Sequence, residues 1–320
     1  MVSDAIVVGS GVIGLTTAVV LAERGRRVEV WTRGTAAQTT SAVAGGLWWP
    51  YRIEPADAVT AWSLASLPVL AGLARRPEET GVRMVDGVHA GAAAAALGPW
   101  ASGVPGLRDA APHEIPAGYE RAVRARLPLL DMPVHLGYLQ RRLGLAGGTV
   151  TLRPVAALAD AGRAAPVVVN CAGLGAGPLA GDPEVHPVQG QLVVVENPGV
   201  REWFTAADDP TRDPAYVLPQ PYGLVLGGTA RPHVWDCAPV PSLAQAIIAR
   251  CARVHPSLTR ARILAHRAGL RPARQRVRLE AERLPGGTRL VHNYGHGGAG
   301  VTVAWGCAHE AAELALAREE

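Results

Sequence analysis

The sequence contains no lysine, so all 31 of its basic residues are arginine. This absence excludes Schiff-base and pyridoxal-phosphate chemistry as well as a P-loop, because each of these depends on a lysine amine. Only 18% of the residues are charged, against 48% that are hydrophobic, which is a globular composition and excludes disorder and coiled coil. A chain of 320 residues is expected to fold as one large domain or two interleaved ones.

Cysteine is scarce, and its distribution excludes two further kinds of site. The four cysteines lie far apart and form no CxxC pair: Cys171, Cys237, Cys251 and Cys307. Such spacing fits neither a disulfide framework nor a zinc site, so we expect no metal. It predicts reduced and mostly buried thiols, which are typical of a cytoplasmic protein.

Long apolar runs and basic patches are also missing. No uninterrupted apolar stretch is long enough to cross a bilayer, and Asp4 stands where a signal peptide would carry basic charge. Arginine is dense only around residues 267–278, and no aromatic residues are interleaved there. We therefore expect neither a membrane nor a nucleic-acid partner.

Hydrophobic periodicity predicts an α/β fold that opens with a βαβ unit. The β-branched run AIVVG leads through a glycine-rich turn into LTTAVVLAERG, which has helical spacing, and then into a second strand, RRVEVW. TVTLRPVAAL and APVVVNCAG predict further strands, the second of them apolar throughout like a buried parallel strand. GQLVVVENP and AYVLPQPYGLVLGGT are strands with tight turns, which indicates an antiparallel sheet.

The rest of the chain predicts the helices and the domain organisation. Residues 56–148 have a helical or loop-like pattern that ends in an amphipathic helix at residues 133–148. SLAQAIIARCARVHPSL predicts another helix, and the chain closes as strand, glycine loop and helix. We predict a Rossmann-like parallel nucleotide-binding domain from residues 1–55, 133–185 and 265–320, with an inserted antiparallel-sheet substrate domain from residues 56–132 and 186–264.

Gly9, Gly11 and Gly14 form a GxGxxG motif between the first strand and the first helix. The glycines permit the tight turn, the close approach of the backbone to a pyrophosphate, and close helix–strand packing. The helix N-terminus stabilises the anion. This context predicts dinucleotide binding and leaves FAD and NAD as alternatives.

The carboxylate that usually binds the adenine ribose is missing. It is expected at the end of the second strand, where the sequence VEVWTRG places Arg33. An arginine there favours a 2′-phosphate, and hence NADP, or lies along the adenine or the pyrophosphate. A solvated arginine at a strand end is an equally good interpretation.

The C-terminal stretch LVHNYGHGGAGVTVAWGCA contains a second glycine loop that leads into a second helix. It supplies another set of free N–H groups and another positive helix end. A nicotinamide enzyme has no use for such a feature, whereas a flavin that becomes anionic at N1/O2 on reduction would be stabilised by it. The alternative is a simple turn.

The chain resembles the D-amino-acid oxidase family. The resemblance lies in GSGVIGL, TTSAVAGGLWWPY (residues 39–51), AYVLPQ around Tyr216, GLRPARQRVRLE (residues 269–280) and HNYGHGGAGVT, in the family's order along nearly the whole chain. It implies a non-covalent FAD. It also implies that O2 and a neutral D-amino acid are the small-molecule partners. Hydride transfer to flavin N5 would then give a 2-oxo acid, ammonia and hydrogen peroxide.

The resemblance also implies the residues of the site. Arg271 would hold the substrate carboxylate by a bidentate pair, the Tyr216 hydroxyl would donate to the same group, and the Gly298 carbonyl would accept from the amine. The FAD contacts would be Gly9, Ser10, Gly11, Val12, Ile13, Gly14, Thr39, Thr40, Ser41, Gly46, Leu47, Val155, Gly297, Gly300, Val301 and Thr302.

Residue patterns alone are less selective at these positions. Strand alternation does not separate Arg271 from the other arginines of its run, Arg274, Arg276 and Arg278. From composition alone, a tyrosine such as Tyr216 is more often a core residue than a substrate-binding one. His292 and His296 are predicted to be structural, since hydride transfer needs no such base.

Two substitutions add alternatives to this interpretation. Arg212 stands where the better-known eukaryotic members have a lid tyrosine, and Trp49 replaces a glutamine near the flavin. Arg212 or Arg231 would suit an acidic substrate side chain, so a D-aspartate oxidase is one alternative, and a glycine or sarcosine-type FAD amine oxidase is another. An NADP-binding dehydrogenase or an inactive nucleotide-binding module is more remote. The sequence leaves the oligomeric state open, with a homodimer as one candidate.

Overall fold

The computed structural model describes residues 3–206 and 213–317, and the strands within these ranges form one mixed sheet. They are β1 (Ala5–Val8), β2 (Val28–Thr32), β3 (Val82–Ala90), β4 (Arg108–Asp109), β5 (Ala122–Leu130), β6 (Thr149–Leu152), β7 (Val167–Asn170), β8 (His186–Val195), β9 (Trp203–Ala206), β10 (Ala215–Gln220), β11 (Gly223–Gly227), β12 (Arg231–Pro232), β13 (Ile263–Arg283) and β14 (Arg289–His296).

The helices of the described ranges include three short ones of four or five residues. They are α1 (Val12–Glu23), α2 (Ala56–Leu73), α3 (Pro77–Thr80), α4 (Met132–Leu145), α5 (Leu158–Gly162), α6 (Ala176–Ala180), α7 (Pro241–Ala252) and α8 (Gly300–Leu316).

One half of the sheet is parallel and has the order β14-β7-β1-β2-β6. Its central strand β1 is buried at all four residues, as its apolar β-branched sequence predicts. Helix α1 packs closely against the turn that precedes it. A Cβ atom at Gly14 would lie only 1.9 Å from the carbonyl oxygen of Gly9. The predicted Rossmann-like unit is confirmed.

The other half has the order β4-β5-β3-β9-β10-β11-β8-β13 and is antiparallel except for the β3–β9 pair. The predicted hairpin is present, with Gln220 opposite Gly223 at the turn. Strand β13 is 21 residues long and belongs to both halves. It pairs with β8 over its first part and with β14 over its second, so one continuous sheet passes through both predicted domains.

Strands β3 and β5 correct the sequence analysis, which was wrong to expect only helix or loop there. Strand β3 contains Asp86 and Gly87 in its interior, and β5 contains Pro128, residues that weaken a strand pattern. Gly87 is needed at its position, because a Cβ atom would lie 2.2 Å from the Trp203 ring. Tertiary packing therefore decides the structure of this segment.

Helix α2 is long and apolar enough to cross a membrane by length and composition alone. The same properties are typical of a helix in a protein core, and its buried residues include Val59, Trp62 and Leu70. It packs on α8, where a Cβ atom at Gly306 would lie 2.4 Å from the Trp62 backbone. The predicted domain bounds stay predictions. The structure adds that α2, which falls in the predicted substrate domain, packs on a helix of the nucleotide-binding part.

Candidate active site

A cavity of about 820 Å³ opens where the parallel strands end. The segments that follow β1, β2, β6 and β7 line it, together with the end of β14, and it continues onto the face of the antiparallel half around Leu192, Tyr216 and Arg271. Ligands of open α/β sheets bind at this carboxyl edge. A single space thus joins the predicted nucleotide site to the predicted substrate site.

Every residue of the predicted site lines this cavity except Gly14 and Thr302. Gly14 acts through packing, as described above. Thr302 is buried, and its hydroxyl binds the backbone of Trp49, accepting from the amide and donating to the carbonyl at 3.0 Å each. Thr302 therefore ties the segment of Trp49 to the first turn of α8.

The turn between β1 and α1 has the geometry that a pyrophosphate site needs. Gly9 has a φ of +112°, and a Cβ atom there would lie 2.5 Å from the Cys171 carbonyl oxygen. No side chain caps α1 at its Gly11 N-cap. The Val12 amide donates to the Ser41 hydroxyl at 3.0 Å, whereas the neighbouring amides of the turn are left for a ligand.

The adenosine end of the cavity is cationic. The last residue of β2 is Thr32 rather than Arg33, and its hydroxyl lies 2.8 Å from that of Ser10. Arg33 is exposed at the cavity edge, and the Arg153 guanidinium lies over the Trp31 ring at 3.7 Å. Over the part of the chain that the structure describes, no carboxylate lines this space. An adenosine bound at this end would meet arginines instead of a ribose-binding acid.

The opposite part of the nucleotide site lies between β14 and α8. No side chain caps the helix at its Ala299 N-cap. Two buried polar atoms of β14, Asn293 Oδ1 and His296 Nε2, have no partner among the described residues, and both residues line the cavity. Burial lowers the pKa of His296 to about 3, so its imidazole is neutral. Buried polar atoms of this kind need a hydrogen-bonding partner, which a bound FAD would supply.

Arg271 differs from the other three arginines of its run in the groups that surround it. Arg274 binds Asp182 at 2.9 Å, Arg278 binds the Tyr294 hydroxyl at 2.9 Å, and Arg276 is exposed. The Arg271 guanidinium lies against Gly190 and donates from Nη1 to the Thr229 carbonyl at 3.0 Å. No acidic side chain within residues 3–206 or 213–317 pairs with it. Its charge is thus available to an anionic ligand.

Tyr216 and Gly298 lie beside this guanidinium. Burial raises the pKa of the Tyr216 phenol despite the nearby positive charge of Arg271, so the phenol keeps its proton at neutral pH. A Cβ atom at Gly298 would lie 3.4 Å from Cδ of Arg271 and 3.2 Å from Cδ1 of Tyr51. The three predicted substrate-binding residues therefore converge at one end of the cavity.

Other predicted residues lie elsewhere. Arg212 lies outside the described residues, and Arg231 is exposed and does not line the cavity. His292 faces Glu282, with 3.0 Å between Nε2 and the carboxylate, and is absent from the cavity wall. Sequence reasoning did not find Gly190 or Thr229, since neither belongs to a recognisable motif.

Comparison with known proteins assigns the family. The family model of FAD-dependent oxidoreductases (DAO) matches residues 4–314. A D-amino-acid oxidase of Streptomyces coelicolor is 59% identical, over 98% of this chain and 96% of its own length. One of Rubrobacter xylanophilus is 47% identical over the same shares of the two chains.

Solved structures agree on the fold. A glycine oxidase from Bacillus cereus superposes with a TM-score of 0.81 at 19% identity, covering 99% of this chain and 96% of that one. Identity at this level shows the fold alone. The full-length relatives and the family model settle the choice between FAD and NAD in favour of FAD. The chain belongs to the DAO family of FAD-dependent oxidoreductases.

Proposed function

We propose that this protein is a D-amino-acid oxidase that acts on neutral D-amino acids. The observation that carries the proposal is the Arg271 guanidinium, which has no acidic partner among the described residues and lies with Tyr216 and Gly298 in the cavity. The two bacterial relatives described above bear the same name. The products would be hydrogen peroxide and an imino acid, which water converts to a 2-oxo acid and ammonia.

Arg271 is suited to bind the substrate carboxylate. Its Nη1 bond to the Thr229 carbonyl fixes the plane of the guanidinium and leaves other N–H groups for a paired contact with two carboxylate oxygens. The Tyr216 phenol is protonated and lies beside Arg271, so its hydrogen is available to an acceptor bound at the guanidinium. We infer that this acceptor is the same carboxylate.

The amine is held by a backbone group. The Gly298 carbonyl would accept from it, next to the side chain of Arg271. FAD, when bound, supplies the redox chemistry by accepting hydride and passing the electrons to O2. The described wall offers no carboxylate or amine as a base, and burial lowers the pKa of His296 to about 3, which makes it a weak one. The amine must therefore lose its proton to water before it reacts.

Peroxide release from a panel of amino acids tests the proposal. The holoenzyme would be assayed with D-alanine, D-leucine, D-aspartate, D-lysine, glycine and sarcosine, each alongside its L enantiomer where one exists. We expect the highest kcat/KM for the neutral D-amino acids. A higher kcat/KM for D-aspartate would favour the D-aspartate oxidase alternative. A higher kcat/KM for glycine or sarcosine would favour a glycine or sarcosine-type amine oxidase.

We also propose a cytoplasmic location and reduced thiols. Cys171, Cys251 and Cys307 are buried, Cys237 is exposed, and burial raises the pKa of Cys171 and Cys251 to about 12, which makes these thiols unreactive. Cell fractionation with a peroxide assay tests the location. Size-exclusion chromatography with light scattering distinguishes a monomer from a homodimer.

A further inference from the structure

Three residues on neighbouring strands of the antiparallel half stand in one row. His89 of β3 is in register with Thr205 of β9, and Thr205 is in register with Tyr216 of β10. Residues paired in this way project to the same face of a sheet, with the strands about 4.8 Å apart. The row therefore leads from the proposed carboxylate site at Tyr216 away across the sheet.

His89 lies at the far end of this row, behind the cavity wall. It is completely buried and does not line the cavity, whereas Thr205 and Trp49 both do. His89 Nδ1 and Thr205 Oγ1 are hydrogen-bonded at 2.8 Å. The imidazole also stacks on Trp49, with ring centroids 4.5 Å apart and planes 24° apart. One buried side chain thus holds two residues of the wall.

Trp49 is packed on its other sides as well. Its ring lies edge-on to Trp100 at 4.9 Å and tilted to Trp203 at 6.1 Å, and only 6% of the residue is exposed. Leu218 continues the wall next to Tyr216, since a Cβ atom at Gly45 would lie 2.6 Å from Leu218 Cδ1 and 3.8 Å from Tyr216 Cε2. Beside the carboxylate site, the wall is therefore apolar and carries the hydroxyl of Thr205.

We propose that His89 is a positioning residue: by holding Thr205 and Trp49 it sets the shape of the wall beside the carboxylate site and thereby determines which substrate side chains fit. This inference rests on the proposed function of the same site. A charged side chain against Trp49 and Leu218 would lose its hydration and find no counter-ion on this part of the wall within residues 3–206 and 213–317, so neutral side chains are favoured. Loss of the His89 contacts would loosen the wall and leave the contacts of carboxylate and amine at Arg271 and Gly298 in place.

Two variants remove the hydrogen bond from opposite ends. Thr205→Val removes the hydroxyl and keeps the shape of the side chain, and His89→Phe keeps a ring against Trp49 but cannot bond to Thr205. The measurement is the ratio of kcat/KM for D-leucine to that for D-alanine in the holoenzyme. We expect this ratio to fall about tenfold in either variant, mainly through KM. The double variant should fall no further than His89→Phe alone, because the hydrogen bond to Thr205 is already lost there.

Two controls separate positioning from general damage. Thr205→Ser restores a hydroxyl and is expected to bring the ratio back to within about twofold of the wild type. His113→Phe makes the same replacement at an exposed histidine and should leave the ratio unchanged. The proposal is overturned if kcat/KM falls equally for D-leucine and D-alanine, or if the ratio is unchanged in both Thr205→Val and His89→Phe. If neither variant retains FAD, Trp49→Phe decides, since a smaller ring on His89 must change the ratio.

A binding measurement keeps this test distinct from that of the proposed function. If the wild type releases no peroxide from any D-amino acid, the proposed function fails. Carboxylates without an amine, acetate and 4-methylpentanoate, can then be titrated against the absorption spectrum of the bound flavin. The positioning role is supported if Thr205→Val weakens 4-methylpentanoate binding more than acetate binding, and it is overturned if both weaken equally or neither does.

Discussion

The Arg271 guanidinium and the Tyr216 phenol meet at one end of the cavity, although they belong to strands β13 and β10, which are separated by β11 and β8. Each side chain extends over the neighbouring strand at a position where that strand has a glycine. The Arg271 guanidinium passes over Gly190 of β8, and the Tyr216 ring passes over Gly227 of β11. The substrate end of the cavity therefore depends on two positions that lack a side chain.

Gly190→Ala should displace Arg271. A Cβ atom there would lie 2.3 Å from Nη1 of Arg271, so the guanidinium must move off its place beside Tyr216. We expect KM to rise at least about tenfold for every D-amino acid, with FAD affinity unchanged, because small misplacements at a site are costly. The control is Gly144→Ala, because a Cβ atom at Gly144 would meet no other described side chain within 4 Å. An unchanged KM in Gly190→Ala would show that Arg271 does not bind substrate in this position.

Arg271→Leu should abolish most of the substrate affinity. Truncation of a guanidinium that binds a carboxylate is worth about 2–5 kcal/mol, so KM should rise by roughly two orders of magnitude or more. Arg271→Lys should rescue poorly, since an ammonium lacks the planar pair of donors. Steady-state kinetics with D-alanine check this, and a wild-type kcat/KM in Arg271→Leu would refute the assignment of the carboxylate.

Tyr216→Phe should weaken binding and leave flavin reduction in place. The phenol is protonated because burial raises its pKa, so it contributes about one hydrogen bond to the carboxylate, or roughly 1–3 kcal/mol. Stopped-flow measurement of flavin reduction at saturating D-alanine separates binding from chemistry. Complete loss of reduction with substrate still bound would mean that Tyr216 takes part in the chemical step.

The nucleotide half of the molecule was predictable because its signals are local. The glycines of GxGxxG, the apolar run of β1 and the spacing of α1 lie within a few residues of one another. The same holds for β14, the glycine loop and α8. In each case the residues that form the motif are close to one another in the sequence, so a short stretch is enough to recognise it.

The substrate half was less predictable because its contacts are distant in sequence. Gly87 is required by Trp203, and the stacking of Trp49 on His89 joins β3 to the segment before α2. Resemblance to a family selected Arg271, but the reason it differs from Arg274 and Arg278 is that those two bind Asp182 and Tyr294. Such pairings are decided by the tertiary fold.

His296→Phe and Asn293→Leu should each weaken FAD binding. His296 Nε2 and Asn293 Oδ1 are buried at the cavity without a partner in the described part of the chain, so each is expected to bond to the cofactor. Loss of one such bond should raise the Kd of FAD about tenfold. Titration of the apoprotein, followed by quenching of flavin fluorescence, measures this without any turnover. His113→Phe is the matched control, and a wild-type Kd in both site variants would show that these atoms face something other than FAD.

Selectivity for the D enantiomer should be strict, because three contacts fix the arrangement around Cα. In the proposed function Arg271 holds the carboxylate and the Gly298 carbonyl holds the amine, while the wall that includes Trp49 receives the side chain. The Cα hydrogen is then left facing the cofactor. In the L enantiomer, keeping carboxylate and amine in place exchanges the hydrogen and the side chain, so that carbon occupies the reacting position. Discrimination should exceed about a thousandfold. Peroxide release from D-alanine and L-alanine, each freed of its enantiomer, checks this expectation, and comparable rates would mean that the substrate is not held by these three contacts.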